Sequence, residues 1–565
     1  MIKRIRNSEL TTLNSQLALV TLAVLIGFIF RLWGINYGFP SLFFVDDYIF
    51  VKHSLGMGTT ALNPHWFIYP HLFMYILFFA YGLFYIAGKL IGVFPDLEHF
   101  FAYYALYPWR FHQIGRFTSV LFATATILIV YLIARRAGKG TAGIVAALML
   151  ALMPLHVNAS HFCTAEPTMV FFTTLSLLFI MLYQSTFRST NLHLAVVCAS
   201  AAVMTKYNAG LLIIPIVWVL VENLLKEKNW RKTAAVAFAC LITGVITSFI
   251  FSPYVFIDFK SFWREISIEY GYLTREGWLG YENVGSGPLY HLYTLMKGLT
   301  VVGSMFAAGG IILVFVRRKR ILLPGTVFSL IYYFYVSSWK IYHAHYMLPI
   351  LPFLCVLAGY FISEVSEWIK SRYSKNAATV VTAVLLAACF IPMVCVSANI
   401  DIRYNRRDIR LDAAEWVFKN IPQNSTIAME SWSLDLGISR TEIKKKYDAA
   451  LKSNPALAEY YAVKLKKYPF SSYVQHNLNW APTPSYSQQL TGSAHYTKKW
   501  LEEQHIDYVI INSNIYERYN RSGKVYPVQM KFYEFLDREA KLLKVFTPNG
   551  RPGPIIKIYS LRHLN

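Results

Sequence analysis

Apolar residues fill twelve blocks in the first 400 positions, centred in 15–35, 67–90, 117–134, 142–158, 168–183, 192–206, 209–221, 233–251, 296–316, 321–337, 347–363 and 377–397. Charged residues fall mostly between the blocks, and no strand-like alternation runs through them. Blocks of this kind predict membrane-crossing helices, which need about 17–25 residues counting tilt and interfacial ends. Pro154, Pro215, Pro349 and Pro352 lie within them, as membrane helices tolerate. The pattern changes near residue 400, where Asp401-Ile-Arg-Tyr-Asn-Arg-Arg-Asp408 closes the last block. Polar and apolar residues then alternate as in a soluble domain. Leu411–Lys419 has helical periodicity and stops at Asn420-Ile-Pro422, while Ser425–Glu430, Asp507–Asn512 and Ile555–Ser560 read as short buried strands. The stretch 440–500, rich in Lys, Tyr and Ser, suggests no element. The expected architecture is a polytopic α-helical membrane domain over 1–399, of about 11–13 transmembrane helices, with a small C-terminal α/β soluble domain over 400–565.

Composition agrees with this pattern. The 565 residues are 55% hydrophobic and 16% aromatic with only 15% charged, and mean hydropathy is +0.38, which excludes an ordinary soluble globular protein. The net charge of +23 does not point to nucleic acid, because Lys and Arg punctuate the apolar blocks as cytoplasmic loops do. The six cysteines form no Cys-x-x-Cys and no zinc spacing. Met1-Ile-Lys-Arg-Ile-Arg6 and the apolar run Leu17–Phe30 resemble a secretory signal, but Arg31-Leu-Trp-Gly34 offers no small-residue cleavage site, so an uncleaved anchor is expected.

Loop charge sets the expected topology. With the N-terminus cytoplasmic and 67–90 not crossing alone, the short inner loops hold Lys3, Arg4, Arg6, Arg135, Arg136, Lys139, Arg188, Lys226, Lys228, Arg231, Lys232, Arg317, Arg318, Lys319, Arg320, Lys370, Arg372 and Lys375. The short outer loops hold only Lys206, Lys260, Arg264, Arg275 and Lys340. A lone crossing by 67–90 would invert that bias. This block is therefore expected to lie in the interface, to re-enter, or to be matched by a second crossing within 91–116, where only Phe100–Trp109 is apolar. An odd number of spans, most simply eleven, puts the long loops 36–116 and 252–295 and the C-terminal domain on the outer face of the cell membrane, periplasmic or extracellular.

The candidate chemistry gathers on that face. Asp46 and Asp47 stand together in Gly38-Phe-Pro-Ser-Leu-Phe-Phe-Val-Asp-Asp-Tyr48, in a chain with only 31 acidic residues. Adjacent helical positions point about 100° apart, so one acid faces a cleft while the other holds a neighbour, a metal or a backbone cap. The plain alternative is a helix N-cap before Tyr48. Glu166, in His161-Phe-Cys-Thr-Ala-Glu-Pro167, is a second acid, and before Pro167 it also suits a helix start. Ser252-Pro-Tyr254 through Asp258 opens a loop with Trp263, Tyr270, Tyr272, Trp278 and Tyr281 among Gly271, Gly277, Gly280, Gly285 and Gly287. That mixture suits a sugar-binding lid or an interfacial belt. Arg116, Lys206, Lys340, and His343, His345 and Tyr346 of Trp339-Lys-Ile-Tyr-His-Ala-His-Tyr346 sit at the outer edge against the charge rule, as ligands for a lipid phosphate would. Snorkelling is the alternative for each cation, and His-x-His alone is a weak metal signal.

In order along the chain, several of these stretches resemble the protein O-mannosyltransferase and aminoarabinose-transferase-like membrane glycosyltransferases (GT-C fold, family 39 type). They are Arg31-Leu-Trp-Gly-Ile35, Pro40 with the acidic pair, Asn63-Pro-His-Trp-Phe-Ile-Tyr-Pro70, and Arg116-Phe-Thr-Ser-Val120 with Arg135-Arg136. Ala165-Glu-Pro167, Thr205-Lys-Tyr207, Ser252-Pro-Tyr-Val-Phe-Ile-Asp258 and His345-Tyr-Met-Leu-Pro-Ile-Leu-Pro352 continue the series. The resemblance covers roughly residues 15–400 and rests on the order of the motifs, none of which is specific alone. It implies transfer of a sugar from a polyprenyl-phosphate carrier to an acceptor protein, lipid or glycan on the outer face, through a hydroxyl or phosphate, with inversion and with Asp46 as general base. The family has Glu where this chain has Asp47, and commonly Arg where it has His345, which passes phosphate binding to Lys206 or Lys340 or makes it pH-dependent. No cofactor beyond the lipid-linked donor is required; a divalent metal between the acids is compatible with the pair.

Two rivals fit less well. A flippase or transporter of lipid-linked sugars places its ionisable groups at the bilayer midplane and in repeated halves, neither of which is seen here. An oligosaccharyltransferase would carry Trp-Trp-Asp, and no two tryptophans in this chain are adjacent.

Overall fold

The computed structural model describes residues 2–138, 140–277, 285–467, 470–479, 495–521 and 525–562. Each of the twelve apolar blocks falls on a helix. Among the described residues nine helices are long and apolar enough to cross a membrane, or eleven if two bent pairs each count as one span. One bend, of 54°, separates Gly140–Leu152 from Pro154–Ser160, where Pro154 opens the second piece and has no N–H to continue the first. The other, of 111°, separates Gly287–Gly298 from Thr300–Val316, with Thr300 at φ 65°.

The helices differ in what covers them. Ala344–Arg372 is 83% buried across its apolar window and Trp230–Phe251 only 6%, so the first runs through the bundle and the second presents Phe238, Leu241, Val245 and Phe249 outward. Apolar side chains facing outward on a span of this length are what lipid requires. The central core joins Pro108–Ala137, Gly140–Leu152, Glu166–Thr186 and Ala344–Arg372 through residues such as Ile127, Met149, Val170 and Leu357.

The stretch 36–116 has its own, smaller core. Phe50 and Val51 of the helix Val45–Gly56 pack with Phe73, Leu77 and Tyr81 of Leu72–Leu90, with Phe100 of Leu97–Leu106, and with Phe111. Leu97–Leu106 has 10 residues, about 15 Å of helix, too short to return across about 30 Å of hydrocarbon. The second crossing considered within 91–116 is therefore ruled out.

The C-terminal part carries a five-stranded sheet, β1 (Thr426–Met429), β2 (Val474–Asn477), β3 (Tyr508–Asn512), β4 (Lys541–Phe546) and β5 (Ile556–Ser560), in the order β2-β1-β3-β5-β4. β2, β1 and β3 are parallel, and β5 and β4 are antiparallel to their neighbours. The three expected strands and the helix, here Ile409–Asn420, are present. The unassigned stretch holds two helices, Arg440–Ser453 and Pro455–Lys467, as well as β2. Ser439 caps the first by accepting from the Glu442 N–H, the start signal of a Ser-x-x-Glu box.

This domain is tied to the stretch 36–116. Asp408 accepts from the Tyr37 hydroxyl at 3.0 Å and pairs with Arg410, whose guanidinium carbon lies 3.8 Å from the Phe43 ring centre. Tyr104 and Tyr460 meet at 5.5 Å.

Candidate active site

Asp46 and Asp47 occupy the first turn of Val45–Gly56, and neither caps it: Phe44 is the N-cap and makes no side-chain cap bond. Their shared turn sends the two carboxyls to different surroundings. Asp47 is buried and fully engaged. Its Oδ2 accepts from Arg116 Nε at 2.7 Å and lies 2.6 Å from Nη2, and its Oδ1 accepts from the Cys163 N–H at 2.6 Å. Arg116 spends its remaining nitrogen on the carbonyls of Ile35 and Tyr37, at 2.7 and 2.8 Å, with its guanidinium 4.3 Å from the Phe39 ring centre. Every nitrogen of Arg116 is thus committed inside the protein, which corrects its expected place among the phosphate ligands. The pair pins the segment around Ile35–Asp47 to the bundle.

Asp46 makes no hydrogen bond among the described residues, and its charged neighbours are Glu166, Lys206 and Asp47. Burial first, then the negative charge of Glu166, pushes its carboxyl up to about 7, against the pull of Lys206. Glu166 opens the helix Glu166–Thr186, where the first-turn dipole favours an acid. It pairs with the Lys206 ammonium and lies 3.8 Å from His345 Nε2. Lys206 leaves the end of Ser189–Val203, its N–H donating to the Ala202 carbonyl. Its ammonium sits between two aromatic faces, 5.0 Å from the Tyr69 ring centre and 5.5 Å from that of Tyr346, a cation–π setting. His343 and His345 stack at 5.1 Å, and each meets the Tyr346 ring edge-on. Burial, Lys206 and Arg518 hold the His343 imidazole down at about 4, neutral at pH 7.

Tertiary structure adds two residues absent from the sequence-based set. Tyr69 carries a hydroxyl influenced by Glu166, Asp46 and Glu269 together. Glu269 belongs to the helix Phe259–Gly271; burial pushes its carboxyl up to about 7, opposed by Lys206. A signal for it existed. Glu265 and Glu269 are four apart on one helix face, and Glu265 accepts from the Phe67 N–H at 2.7 Å, turning that face toward the stretch 36–116.

Other candidates lie apart. Asp258 caps Phe259–Gly271 through the Ser261 N–H, and the Tyr254 hydroxyl donates to the Ala61 carbonyl, so both shape the loop. Lys340 is exposed, and its backbone N–H donates to Leu273 at 2.6 Å. Trp278, Gly280 and Tyr281 lie outside the described residues. Among the described residues no three His, Cys, Asp or Glu side chains converge as a metal site.

The arrangement is a carboxyl without hydrogen bonds, facing one ammonium, an ion-paired second acid and a rim of Tyr and His at the mouth of a helical bundle. Comparison with known proteins agrees with its setting. The family model described as dolichyl-phosphate-mannose-protein mannosyltransferase matches residues 112–256. No curated protein matches the chain. Among solved structures, the oligosaccharyltransferase AglB from Archaeoglobus fulgidus, in complex with an inhibitory peptide and a dolichol-phosphate, superposes with a TM-score of 0.52 at 13% identity, covering 95% of this chain and 74% of that one. ArnT from Cupriavidus metallidurans bound to undecaprenyl phosphate gives 0.51 at 13% identity over 96% of this chain and 97% of that one. Identity this low speaks to the fold alone. The chain has the fold of these membrane proteins, a bundle of apolar helices long enough to cross a membrane with a small C-terminal sheet domain, and its residues 112–256 are similar to the dolichyl-phosphate-mannose-protein mannosyltransferases.

Proposed function

We propose that this protein moves a sugar from a polyprenyl-phosphate carrier to an acceptor hydroxyl or phosphate on the outer face of the membrane, with inversion and with Asp46 as general base. The single observation behind this reading is the Asp46 carboxyl, half-buried, free of hydrogen bonds among the described residues, and with Lys206 among its charged neighbours. The carrier's apolar tail stays in lipid while its phosphate lies at the interface beside Lys206. The acceptor oxygen attacks the anomeric carbon from the side opposite the phosphate. Asp46 takes the acceptor proton as the new C–O bond forms and the bond to phosphate breaks. The carrier leaves as the polyprenyl phosphate, and one displacement inverts the anomeric centre. Lys206 stabilises the charge growing on the leaving phosphate, with neutral His343, His345 and Tyr346 as hydrogen-bonding groups around it. A base whose carboxyl titrates near 7 suits proton transfer at neutral pH. Asp47 holds Arg116 and positions the loop. The outer-face placement rests on the loop-charge bias, and the donor class is that of the lipid in the ArnT complex.

The test is Asp46→Asn in purified protein supplied with undecaprenyl-phosphate-linked sugars and cell-envelope acceptors, product being followed by mass spectrometry. Transfer is expected to fall about 10²–10⁴-fold while undecaprenyl phosphate still binds. Transfer at the wild-type rate would remove Asp46 from the chemistry.

A further inference from the structure

The parallel half of the C-terminal sheet ends on side chains that the transferase site leaves unused. β2, β1 and β3 run the same way, so their carboxyl ends share one edge, the edge at which open α/β sheets bind ligands. Glu430, Ser431 and Ser433 follow β1, Asn477 ends β2 with Asn479 beyond it, and Asn512 ends β3. These groups are knitted together. Asn477 Nδ2 donates to Ser431 Oγ at 2.9 Å, the Ser431 N–H to Asn479 Oδ1 at 2.7 Å, and Asn512 Nδ2 to Ser433 Oγ at 2.8 Å. Among the described residues two amide atoms at the floor of this edge remain without a partner, the donor Asn479 Nδ2 and the acceptor Asn512 Oδ1. Both residues have no exposed surface. Each orphaned buried amide atom costs about 1–3 kcal/mol, so a complementary pair of them points to polar groups supplied from outside the chain.

This edge also adjoins the transferase cleft. Arg518, on the helix Ser513–Arg521 that leaves β3, has its guanidinium carbon 6.0 Å from the Trp432 ring centre. Its charge acts on Glu430 on one side and on His343 on the other. His343 stacks on His345, which lies beside Glu166. Trp432 follows Ser431 at this edge, half-buried, in a left-handed backbone conformation at φ 62° that few non-glycine residues adopt.

The chemistry of the edge favours a carbohydrate. An indole offers a flat apolar face with one N–H, and the amides and hydroxyls around it both donate and accept. A peptide main chain would instead pair along a free strand edge, whereas the groups here are side chains at strand ends. We propose that the carboxyl edge of β1, β2 and β3 is an acceptor subsite binding one sugar unit of a glycan acceptor, with Trp432 as its stacking face and Ser431, Asn477, Asn479 and Asn512 as its hydrogen-bonding partners. The subsite rests on the transferase reading for its role and holds the acceptor glycan while its reacting group reaches Asp46.

The test uses the full-length protein carrying fluorotryptophan in lipid nanodiscs, titrated with mannose, glucose, galactose and N-acetylglucosamine and followed by fluorine NMR. The resonance lost in Trp432→Phe identifies the stacking face. That resonance is expected to shift saturably with at least one of these sugars, and Asn477→Ala is expected to weaken the titration about tenfold. The other tryptophan resonances report that the variant is folded. A Trp432 resonance moved by none of the sugars, or moved equally well in Asn477→Ala, overturns the subsite. Native mass spectrometry of undecaprenyl phosphate on the same wild-type sample tests the transferase reading separately, because absence of carrier binding there leaves the sugar titration intact.

Discussion

A half-buried carboxyl at the mouth of the bundle and a fully buried one in the C-terminal domain show how differently the two regions use the same group. Burial pushes Asp46 up to about 7 and Glu430 up to about 8. Glu430, however, accepts from the Asn512 N–H at 2.8 Å and from the hydroxyls of Tyr533 and Tyr496 at 2.5 and 3.3 Å. Asp46 accepts nothing among the described residues. A carboxyl tied on several sides is fixed in place, whereas one facing a cation with open valence can take a proton and give it up. Burial alone therefore does not mark a reactive acid.

The sharpest way to break this comparison is the pair Asp46→Asn and Glu430→Gln. The first is expected to remove transfer by about 10²–10⁴-fold and the second to leave the chemical step within about a factor of a few, as single-turnover rates would show. In the wild type, a base raised to about 7 works only when deprotonated. The rate should therefore climb tenfold per unit below that pH and level off above it, and a flat profile through this range would point to another base.

Lys206→Met comes next. It removes the cation proposed for the carrier phosphate and leaves Glu166 unpaired, so the Kd for undecaprenyl phosphate is expected to rise about 10–100-fold. Asp47→Asn strands the buried Arg116 guanidinium and is expected to cost about 3–5 kcal/mol, read as a lower Tm in nanodiscs, with loss of activity following loss of fold. Carrier binding unchanged in Lys206→Met would return the phosphate role to Lys340.

The smallest effect is on stability. Glu430 is raised in the fold above its ordinary value of 4.5 to about 8, so the folded domain holds a proton that the unfolded chain releases. Its stabilising contribution is complete below about 4.5 and fades as the pH rises to about 8. Glu430→Gln is expected to flatten that decline in thermal melts of the full chain. An unchanged slope would show that the two tyrosines already keep Glu430 ionised.

The membrane helices were legible because a bilayer demands uninterrupted apolar length, and all twelve blocks became helices. The edge of the sheet was less so. β2 reads Val474-Gln-His-Asn477, too polar to stand out, and becomes a strand only by pairing with Thr426–Met429. Of the expected site, Asp46, Glu166, Lys206, His343, His345 and Tyr346 do come together, from four separate stretches of chain. Arg116 does not join them, because a basic residue at a membrane edge looks the same in sequence whether it faces a lipid phosphate or a buried carboxylate. Glu269 and Tyr69 were not among the expected site residues for the converse reason: their proximity to Lys206 comes from the docking of the stretch 36–116 against the helix Phe259–Gly271, through contacts such as Phe67 N–H to Glu265.

Sequence by itself determined the class of molecule, since hydrophobic length and loop charge are local properties that a membrane reads segment by segment. It also supplied an adjacent acidic pair of which helical geometry allows only one to face a cleft. Only the tertiary structure decided which one. Asp47 meets Arg116 across 69 residues of chain and Asp46 meets Lys206 across 160, and such long-range electrostatic partners exist only once the helices have packed.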